Sequence, residues 1–197
     1  MGELVATVSG ESGVPESEGV AFRRADAKLN YERVFATALA VFAEHGLQAT
    51  VPQVAERAGV GKATVYRSYP SKEDLVEAVV RRSVHALEQS LDTEVHTDPF
   101  AEFRRQIFVL LHTLRRDRLL AEALAERQTT QTTILNRYTA LMEAAKVTGS
   151  VRSDACMDDL RIMLCGPVLL LMKSPHKDPA RWDRLGELFL QAIRPPQ

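Results

Sequence analysis

Six residues between positions 62 and 68 combine chemical groups that bind phosphates and base edges. They supply a lysine, an arginine, two aliphatic hydroxyls and a phenol, together with a small residue that allows close approach. Lysine, arginine and hydroxyl groups are the usual protein donors to DNA phosphates, and arginine also pairs with guanine in the major groove. The segment is therefore predicted to contact DNA through Lys62, Ala63, Thr64, Tyr66, Arg67 and Ser68.

These side chains need a rigid supporting structure, which the flanking residues are predicted to form. Val65 and Tyr69 stand four residues apart, so both point into the core from one side of a short helix. Thr50 is a suitable N-cap for a preceding helix that ends near Ala58. Gly59 supplies the positive φ that a tight turn between the two helices needs. The sequence thus predicts two short helices joined by a tight turn, which is the arrangement of a helix-turn-helix.

Longer helices are predicted on both sides of this unit. Downstream, Pro70 stops the second short helix, and Ser71 to Asp74 form a capping box that opens a long helix. Upstream, a helix that starts near Asp26 ends before Gly46, a residue suited to a helix C-terminus. Its apolar stripe has helical spacing and consists of Tyr31, Val34, Phe35, Ala38, Leu39 and Phe42.

Beyond about residue 95 the pattern is helical again. Asp98 and Asp178 each precede a proline, a pairing that opens many helices, and Asp117 and Asp154 are further N-cap candidates. The sequence has no alternating strand pattern and no internal repeat. The chain is therefore predicted to be all-α, with about nine helices.

Composition and helical pattern divide the chain into four segments. Residues 1–21 contain four glutamates, no lysine or arginine and no aromatic residue, so we expect a disordered tail. Residues 22–70 are predicted to form the helix-turn-helix domain, and residues 71–95 a connecting helix. Residues 96–197 are predicted to form a second helical domain.

Residues 55–80, AERAGVGKATVYRSYPSKEDLVEAVV, resemble the signature of TetR-type repressors, and the resemblance extends from about Asp26 to Val80. It implies a homodimeric transcriptional regulator that binds double-stranded operator DNA and responds to a small-molecule effector through its variable C-terminal half. Two positions depart from the usual pattern. Gly61 replaces a serine that caps the recognition helix, and Ser68 replaces a frequent histidine.

The resemblance also assigns DNA contacts to individual positions. The residues that match phosphate-contacting positions are Thr50, Lys62, Thr64, Tyr66 and Lys72. The residues that match positions facing bases or adjoining phosphates are Ala63, Arg67 and Ser68. Arg23 and Arg24, ahead of the first helix, are either a minor-groove arm or flexible surface arginines, and the sequence leaves both alternatives open.

The C-terminal domain is predicted to hold a mostly apolar effector pocket with a few polar groups, the usual composition of small-molecule sites. Its candidate lining is Phe103, Ile107, Leu111, His112, Ile134, Tyr138 and Met142. A filled core is the competing interpretation for each of these residues taken singly.

The last two long helices, 154–172 and 179–193, are predicted to pair with those of a second copy in an isologous four-helix interface. The stretch from Ile162 to Met172 is apolar on nearly every side, more than one chain's core requires. Pro167 is expected to kink this helix, because its ring removes one backbone hydrogen bond.

Other functional classes lack their motifs. A net charge of −1 and 45% hydrophobic residues are typical of an ordinary globular protein. The five histidines show no metal-ligand spacing and no activated-nucleophile motif appears, so we expect no metal, no cofactor and no enzyme. The longest apolar run is too short to span a bilayer, so no membrane is expected. Cys156 and Cys165 are too few for a disulfide framework and are expected to be buried, as in a cytoplasmic protein.

The preferred hypothesis is a repressor that a small, largely apolar ligand releases from a palindromic operator. One alternative is a ligand-independent architectural DNA-binding protein, which would need no internal cavity, and a helical enzyme is a weaker alternative. Arg115, Arg116 and Arg118 form a basic cluster, which we interpret as a solvated helix end.

Overall fold

A computed structural model describes residues 16–90, 98–126, 132–174 and 178–196 of the 197-residue chain. A 3-10 turn, Gly46–Gln48, follows the first helix, and a π-helical segment, Arg161–Cys165, joins the eighth helix to the ninth. The α-helices are α1 (Glu16–His45), α2 (Val51–Ala58), α3 (Lys62–Ser68), α4 (Lys72–Ser90), α5 (Pro99–Arg116), α6 (Arg118–Ala125), α7 (Thr132–Val147), α8 (Met157–Leu160), α9 (Gly166–Lys173) and α10 (Ala180–Ala192).

The predicted all-α class is confirmed for the described part of the chain. Because α8, the π-helical segment and α9 run on without a break, they count as one interrupted helix, which agrees with the expected number of about nine. An N-terminal three-helix unit, α1 to α3, is followed by α4 and then by the helices of the C-terminal half.

The first helix begins at Glu16, whereas the sequence predicts a start near Asp26 and a disordered tail through residue 21. The first 15 residues of that tail lie outside the described residues, as do the side chains of Arg23 and Arg24. No proline stands between Glu16 and Asp26, and a helix extends at little cost once it has nucleated. The earlier start therefore needs no tertiary contact. The domain boundaries themselves stay a prediction.

The turn of the helix-turn-helix has the geometry that the sequence predicts. Thr50 caps α2 through a capping box, in which its side chain accepts from the Gln53 N–H and Gln53 Oε1 accepts from the Thr50 N–H at 2.8 Å. Gly59 ends α2 in the left-handed region with φ 66°. Gly61 then stands at the N-cap of α3 with φ −70° and offers no side-chain cap, so this helix starts without one of its usual hydrogen bonds.

Aspartate side chains accept hydrogen bonds from the backbone at the starts of three helices of the C-terminal half, and two of them, Asp98 and Asp117, are N-cap residues. The Asp98 carboxylate accepts from the Phe100 N–H at 2.9 Å, and Asp117 accepts from the Leu120 N–H at 2.9 Å. Asp178 likewise accepts from the Ala180 N–H at 2.9 Å. The predicted cap at Asp154 is wrong. Its carboxylate binds the Arg152 guanidinium instead, and this hydrogen bond lowers the pKa of Asp154.

The helix that follows begins three residues after Asp154, at Met157, with Cys156 as its N-cap. Cys156 is exposed, which corrects the expectation that both cysteines are buried. Cys165 is buried as expected, and this burial raises the pKa of its thiol to about 11. Cys165 therefore stays protonated and unreactive near neutral pH.

The sequence predicts a kink at Pro167, and the structure has a π-helical segment, Arg161–Cys165, shortly before this residue. Proline has no N–H, so the carbonyl of Met163, four residues earlier, loses its α-helical donor. A π-helical turn next to such a position is one of the recognised ways in which a helix accommodates the missing bond.

The two turn glycines provide a matched test of this local structure. A Cβ added at either Gly59 or Gly61 would meet no atom within 4 Å, so only the backbone angle distinguishes the two sites. We expect Gly59→Ser to lower the free energy of unfolding by about 1–2 kcal/mol, because serine is strained at positive φ. Gly61→Ser should raise it by about 0.5–1 kcal/mol, since serine restricts the unfolded chain and caps α3. Urea unfolding measures both changes, and changes of the same sign would contradict the assigned angles.

Candidate nucleic-acid interface

The third helix presents most of the predicted DNA-contacting side chains on its outer side. Lys62, Ala63, Arg67 and Ser68 are exposed, Tyr66 is 45% exposed, and Thr64 is half-buried. On the opposite side, Val65 is fully buried and Tyr69, directly after the helix, is 6% exposed. The structure therefore brings these residues together on one short helix whose inner face is bound to the core.

Aromatic stacking fixes the C-terminal end of α3 against α1. The Tyr69 ring lies 5.8 Å from the Tyr31 ring and 6.3 Å from the Phe35 ring, measured between centroids. The Tyr69 hydroxyl donates to the Tyr31 hydroxyl at 2.9 Å. Burial, followed by this hydrogen bond, raises the pKa of Tyr69 above its usual range. Tyr69 thus stays neutral and acts as a structural anchor.

A charged pair fixes the other short helix. Arg57 on α2 donates two hydrogen bonds to the Glu44 carboxylate on α1, at 2.8 and 2.9 Å. These bonds lower the pKa of Glu44 and raise that of Arg57. The paired geometry matches the planar fork of arginine to both carboxylate oxygens, so it sets orientation as well as distance.

Two predicted phosphate contacts lie outside α3. Thr50 is exposed at the start of α2, where its hydroxyl takes part in the capping box. Lys72 is half-buried at the start of α4, and its ammonium donates to the Leu47 carbonyl at 2.6 Å. An ammonium has three N–H donors, so Lys72 keeps donors for a phosphate while one of them holds the 3-10 turn.

The same turn is also bound from the C-terminal half, a contact that sequence reasoning did not predict. The Leu47 N–H donates to Glu122 Oε2 on α6 at 2.6 Å, and Arg118 donates to the other oxygen of that carboxylate at 2.7 Å. Gly46 has φ 57°, and a Cβ there would overlap the Glu122 carboxylate. The Arg118–Glu122 spacing is visible in the sequence as an i,i+4 pair, but a contact across 75 residues leaves no local pattern.

Six of the seven predicted effector-pocket residues are buried in the C-terminal half. These are Phe103, Ile107, Leu111, Ile134, Tyr138 and Met142, each at most 1% exposed. His112 lies apart from them on the outer face of α5, where its ring nitrogen is 3.0 Å from the Asp183 carboxylate on α10. The structure therefore does not bring His112 into the interior with the others.

An interior pocket touches this set at two residues, Ile134 and Tyr138. It is lined by Leu110, Leu124, Ile134, Leu135, Tyr138, Leu160, Arg161 and Cys165, and its volume is about 20 Å³. That space holds roughly one water molecule. Phe103, Ile107 and the other buried candidates pack in the core without lining it.

Polar groups beside this pocket are buried as well. The Tyr138 hydroxyl donates to the Gln106 carbonyl at 3.1 Å, and burial raises the pKa of Tyr138 above its usual range. Gln106 is fully buried, and its side-chain oxygen has no hydrogen-bond partner among the described residues. An acceptor in that position is costly to leave unpaired.

Two features are absent from the described ranges. These ranges contain no group of three or more histidine, cysteine, aspartate or glutamate side chains placed to hold a metal ion. Within the same ranges, none of the helices combines the length and the apolar character needed to cross a bilayer.

The chain is similar to known bacterial regulatory proteins in both sequence and structure. The family model described as bacterial regulatory proteins, tetR family, matches residues 34–79, which contain α2 and α3 and, on α1, Phe35 and Glu44 that hold them. A search of curated proteins gave no match. Among solved structures, a TetR transcriptional regulator from Streptomyces coelicolor is 31% identical with a TM-score of 0.57, over 84% of this chain and 99% of that one.

Two other solved structures have the same fold. A TetR transcription regulatory protein from Mycobacterium vanbaalenii is 27% identical with a TM-score of 0.51, over 87% of this chain and 99% of that one. The regulator FadR from Bacillus subtilis, solved in complex with stearoyl-CoA, is 19% identical with a TM-score of 0.59, over 83% and 100%. The exposed, core-anchored α3, the family model and the Streptomyces relative together show that the chain belongs to the TetR family of bacterial transcriptional regulators.

Proposed function

We propose that this regulator is a homodimer that binds a palindromic operator through α3 and is released from it by a small, largely apolar ligand. The observation that carries the proposal is the two-sided character of α3. Its inner residues, Val65 and Tyr69, are held by the core, while Lys62, Tyr66 and Arg67 face outward without a hydrogen-bond or ion-pair partner among the described residues.

The outward groups match what operator binding requires. Lys62 and Tyr66 supply donors for phosphates, which set position and affinity, and Arg67 supplies a fork that can pair with a guanine edge. Ala63 leaves room for close approach of the helix to the bases. The proposed contact surface is completed by four neighbouring residues, Thr50, Thr64, Ser68 and Lys72.

A second copy of the chain is proposed to cover an apolar face on α9 and α10. Leu170 is 71% exposed and Leu188 is 46% exposed. Both line an open groove of about 350 Å³ together with Pro167, Leu171 and Leu185. Exposed aliphatic side chains gathered in one groove favour a protein interface, and a symmetric dimer would present two α3 helices to successive major grooves.

Effector binding at the interior pocket requires it to enlarge. The pocket of about 20 Å³ is far below the several hundred Å³ of ordinary ligand sites. Because Arg161 and Cys165 of the π-helical segment form part of its wall, a shift of this segment would enlarge it. A ligand that prefers the enlarged form would then shift the population away from the operator-binding geometry. FadR from Bacillus subtilis was solved in complex with stearoyl-CoA, a ligand whose acyl chain is long and apolar.

The small volume of this pocket also favours one alternative, a regulator that binds DNA without a ligand. Under this alternative the residues proposed to line the pocket, Ile134 and Tyr138 first among them, serve only as core. Operator binding and dimerisation would be the same in both cases.

The DNA-binding proposal is tested by substituting the outward residues of α3. A dimer that makes about eight phosphate contacts should show a slope of log K against log[salt] near −7. Lys62→Ala removes one cation per subunit, so it should weaken binding to all sequences and flatten the slope by about 2. Tyr66→Phe should weaken all sequences similarly, whereas Arg67→Ala should relax sequence choice. Arg116→Ala, on α5, is the control for loss of a cation elsewhere. Unchanged DNA affinity in both Lys62→Ala and Tyr66→Phe would refute the assignment of α3 as the DNA-contacting helix.

The dimer is tested at the exposed leucine of α9. We expect Leu170→Glu to convert a stable dimer into monomers, because it buries a carboxylate in the apolar interface. Val147→Glu is the matched control, since Val147 is 88% exposed on α7 and lies away from the groove. Sedimentation velocity at micromolar concentration distinguishes the two states. A monomeric unsubstituted protein would rule out the interface.

The effector proposal is tested by a thermal-shift screen of aromatic and lipid-like compounds followed by operator release. A true effector should raise the melting temperature and weaken operator binding by about 5–150-fold, and operator DNA should weaken the compound by the same factor. Ile134→Trp should fill the pocket and abolish the response, whereas Val147→Trp on the exposed face of α7 should preserve it. If no compound releases DNA, the ligand-independent alternative holds.

A further inference from the structure

A second cleft lies where α1 meets the helices of the C-terminal half. Its volume is about 280 Å³, and it is separate from the interior pocket, with which it shares no lining residue. Its walls come from the last turns of α1 and from four helices of the C-terminal half. The side chains that decide its chemistry are Glu44, Arg115, Arg118, Leu171, Met172 and Trp182.

The charges in this cleft do not cancel. Glu44 is engaged by Arg57, and Arg118 is engaged by Glu122 at 2.7 Å. Arg115 is half-buried, and its guanidinium has no hydrogen-bond or ion-pair partner among the described residues. A partly desolvated arginine without a partner leaves one positive charge in the cleft available to an incoming anion.

The remaining wall is apolar. Leu171 and Met172, on α9, are half-buried, and Trp182, on α10, is 5% exposed. The cleft thus combines one free cation with a hydrocarbon and indole surface. Sites with mostly apolar walls and a few polar groups that fix orientation are the usual form of small-molecule pockets.

We propose that this junction cleft binds a small monocarboxylate with a short apolar tail. The carboxylate pairs with the Arg115 fork, whose planar donors match two carboxylate oxygens, and the tail packs on Leu171, Met172 and Trp182. One uncompensated cation suits a singly charged ligand better than a phosphate. The volume of about 280 Å³ limits the ligand to one smaller than a typical drug.

The location gives this ligand a means of acting on the DNA-binding helices. Glu44 forms part of the wall and also holds α2 through Arg57. An occupant therefore touches the turn of α1 that orients α2, and at the same time touches α5, α9 and α10. If operator binding changes the placement of α1 against these helices, the affinity for the carboxylate changes with it, and the effect is reciprocal. The binding itself does not depend on the interior effector site.

The chain carries its own reporter for this site, because Trp182 is its single tryptophan. The experiment titrates the full-length protein with sodium hexanoate and records Trp182 fluorescence, with hexan-1-ol and inorganic phosphate as comparison probes. We expect saturable binding of hexanoate at millimolar concentration or below, and at least tenfold weaker binding of the alcohol and of phosphate. Arg115→Gln should weaken hexanoate at least tenfold, and Arg115→Lys should weaken it less.

Arg116→Gln is the matched control, since Arg116 is the neighbouring arginine on α5, is exposed and does not line the cleft. It should bind hexanoate like the unsubstituted protein. Circular dichroism of each variant establishes that it is folded, and Arg115→Lys serves if Arg115→Gln is not. The proposal is overturned if hexanoate causes no saturable change, or if the Arg115 variants bind it as tightly as Arg116→Gln does. Equal binding of hexan-1-ol or of phosphate would overturn the carboxylate or the apolar-tail assignment, respectively.

Discussion

Attachment of α3 to α1 is the contact on which the DNA-binding surface depends. A seven-residue helix is far too short to be stable in water by itself, and Gly61 gives it no side-chain cap. Its structure must come from packing, which Val65 and Tyr69 provide on a single face. The stacked rings of Tyr31, Phe35 and Tyr69 add directional contacts at its end. Because all the packing is on one side, the other side is free to carry polar groups without loss of stability.

The end of α1 is a second point of convergence, and it joins the two halves of the molecule. The backbone of Leu47 is held on both sides, its N–H by Glu122 of α6 and its carbonyl by Lys72 of α4. An N–H that loses its partner in a partly buried place costs about 1–3 kcal/mol, so a movement of α6 cannot leave this turn unaffected. This turn is covalently connected to the DNA-binding helices, since α2 begins only a few residues after Leu47. Any coupling between the C-terminal half and DNA can therefore pass through it.

The features that the sequence predicted are those with local causes. The left-handed Gly59, the Thr50 capping box and the caps at Asp98 and Asp117 depend on residues within one helical turn, and each is found in the structure. The failures come from tertiary contacts or from competition between local partners. The Asp154 carboxylate binds the nearby Arg152 guanidinium and so does not cap a helix. His112 pairs with Asp183, which is 71 residues away in the sequence. Pocket volume is harder still, because it depends on how all the surrounding side chains pack.

The π-helical segment has a consequence for the phase of the long interrupted helix. A wide turn holds one residue more than an α-helical turn, so every side chain after it is rotated by about 100° from the direction it would have in an unbroken helix. Before and within this turn, Leu160 and Leu164 point into the core, and beyond it Leu170 points outward into the groove. The helix therefore keeps core contacts before, within and beyond the wide turn, through Leu160, Leu164 and Val168, and beyond it Leu170 also reaches an external groove. Deletion of one residue between 161 and 165 would restore regular α-helical winding and rotate Leu170 of α9 away from the groove. This short segment therefore determines which side chains of α9 reach that surface.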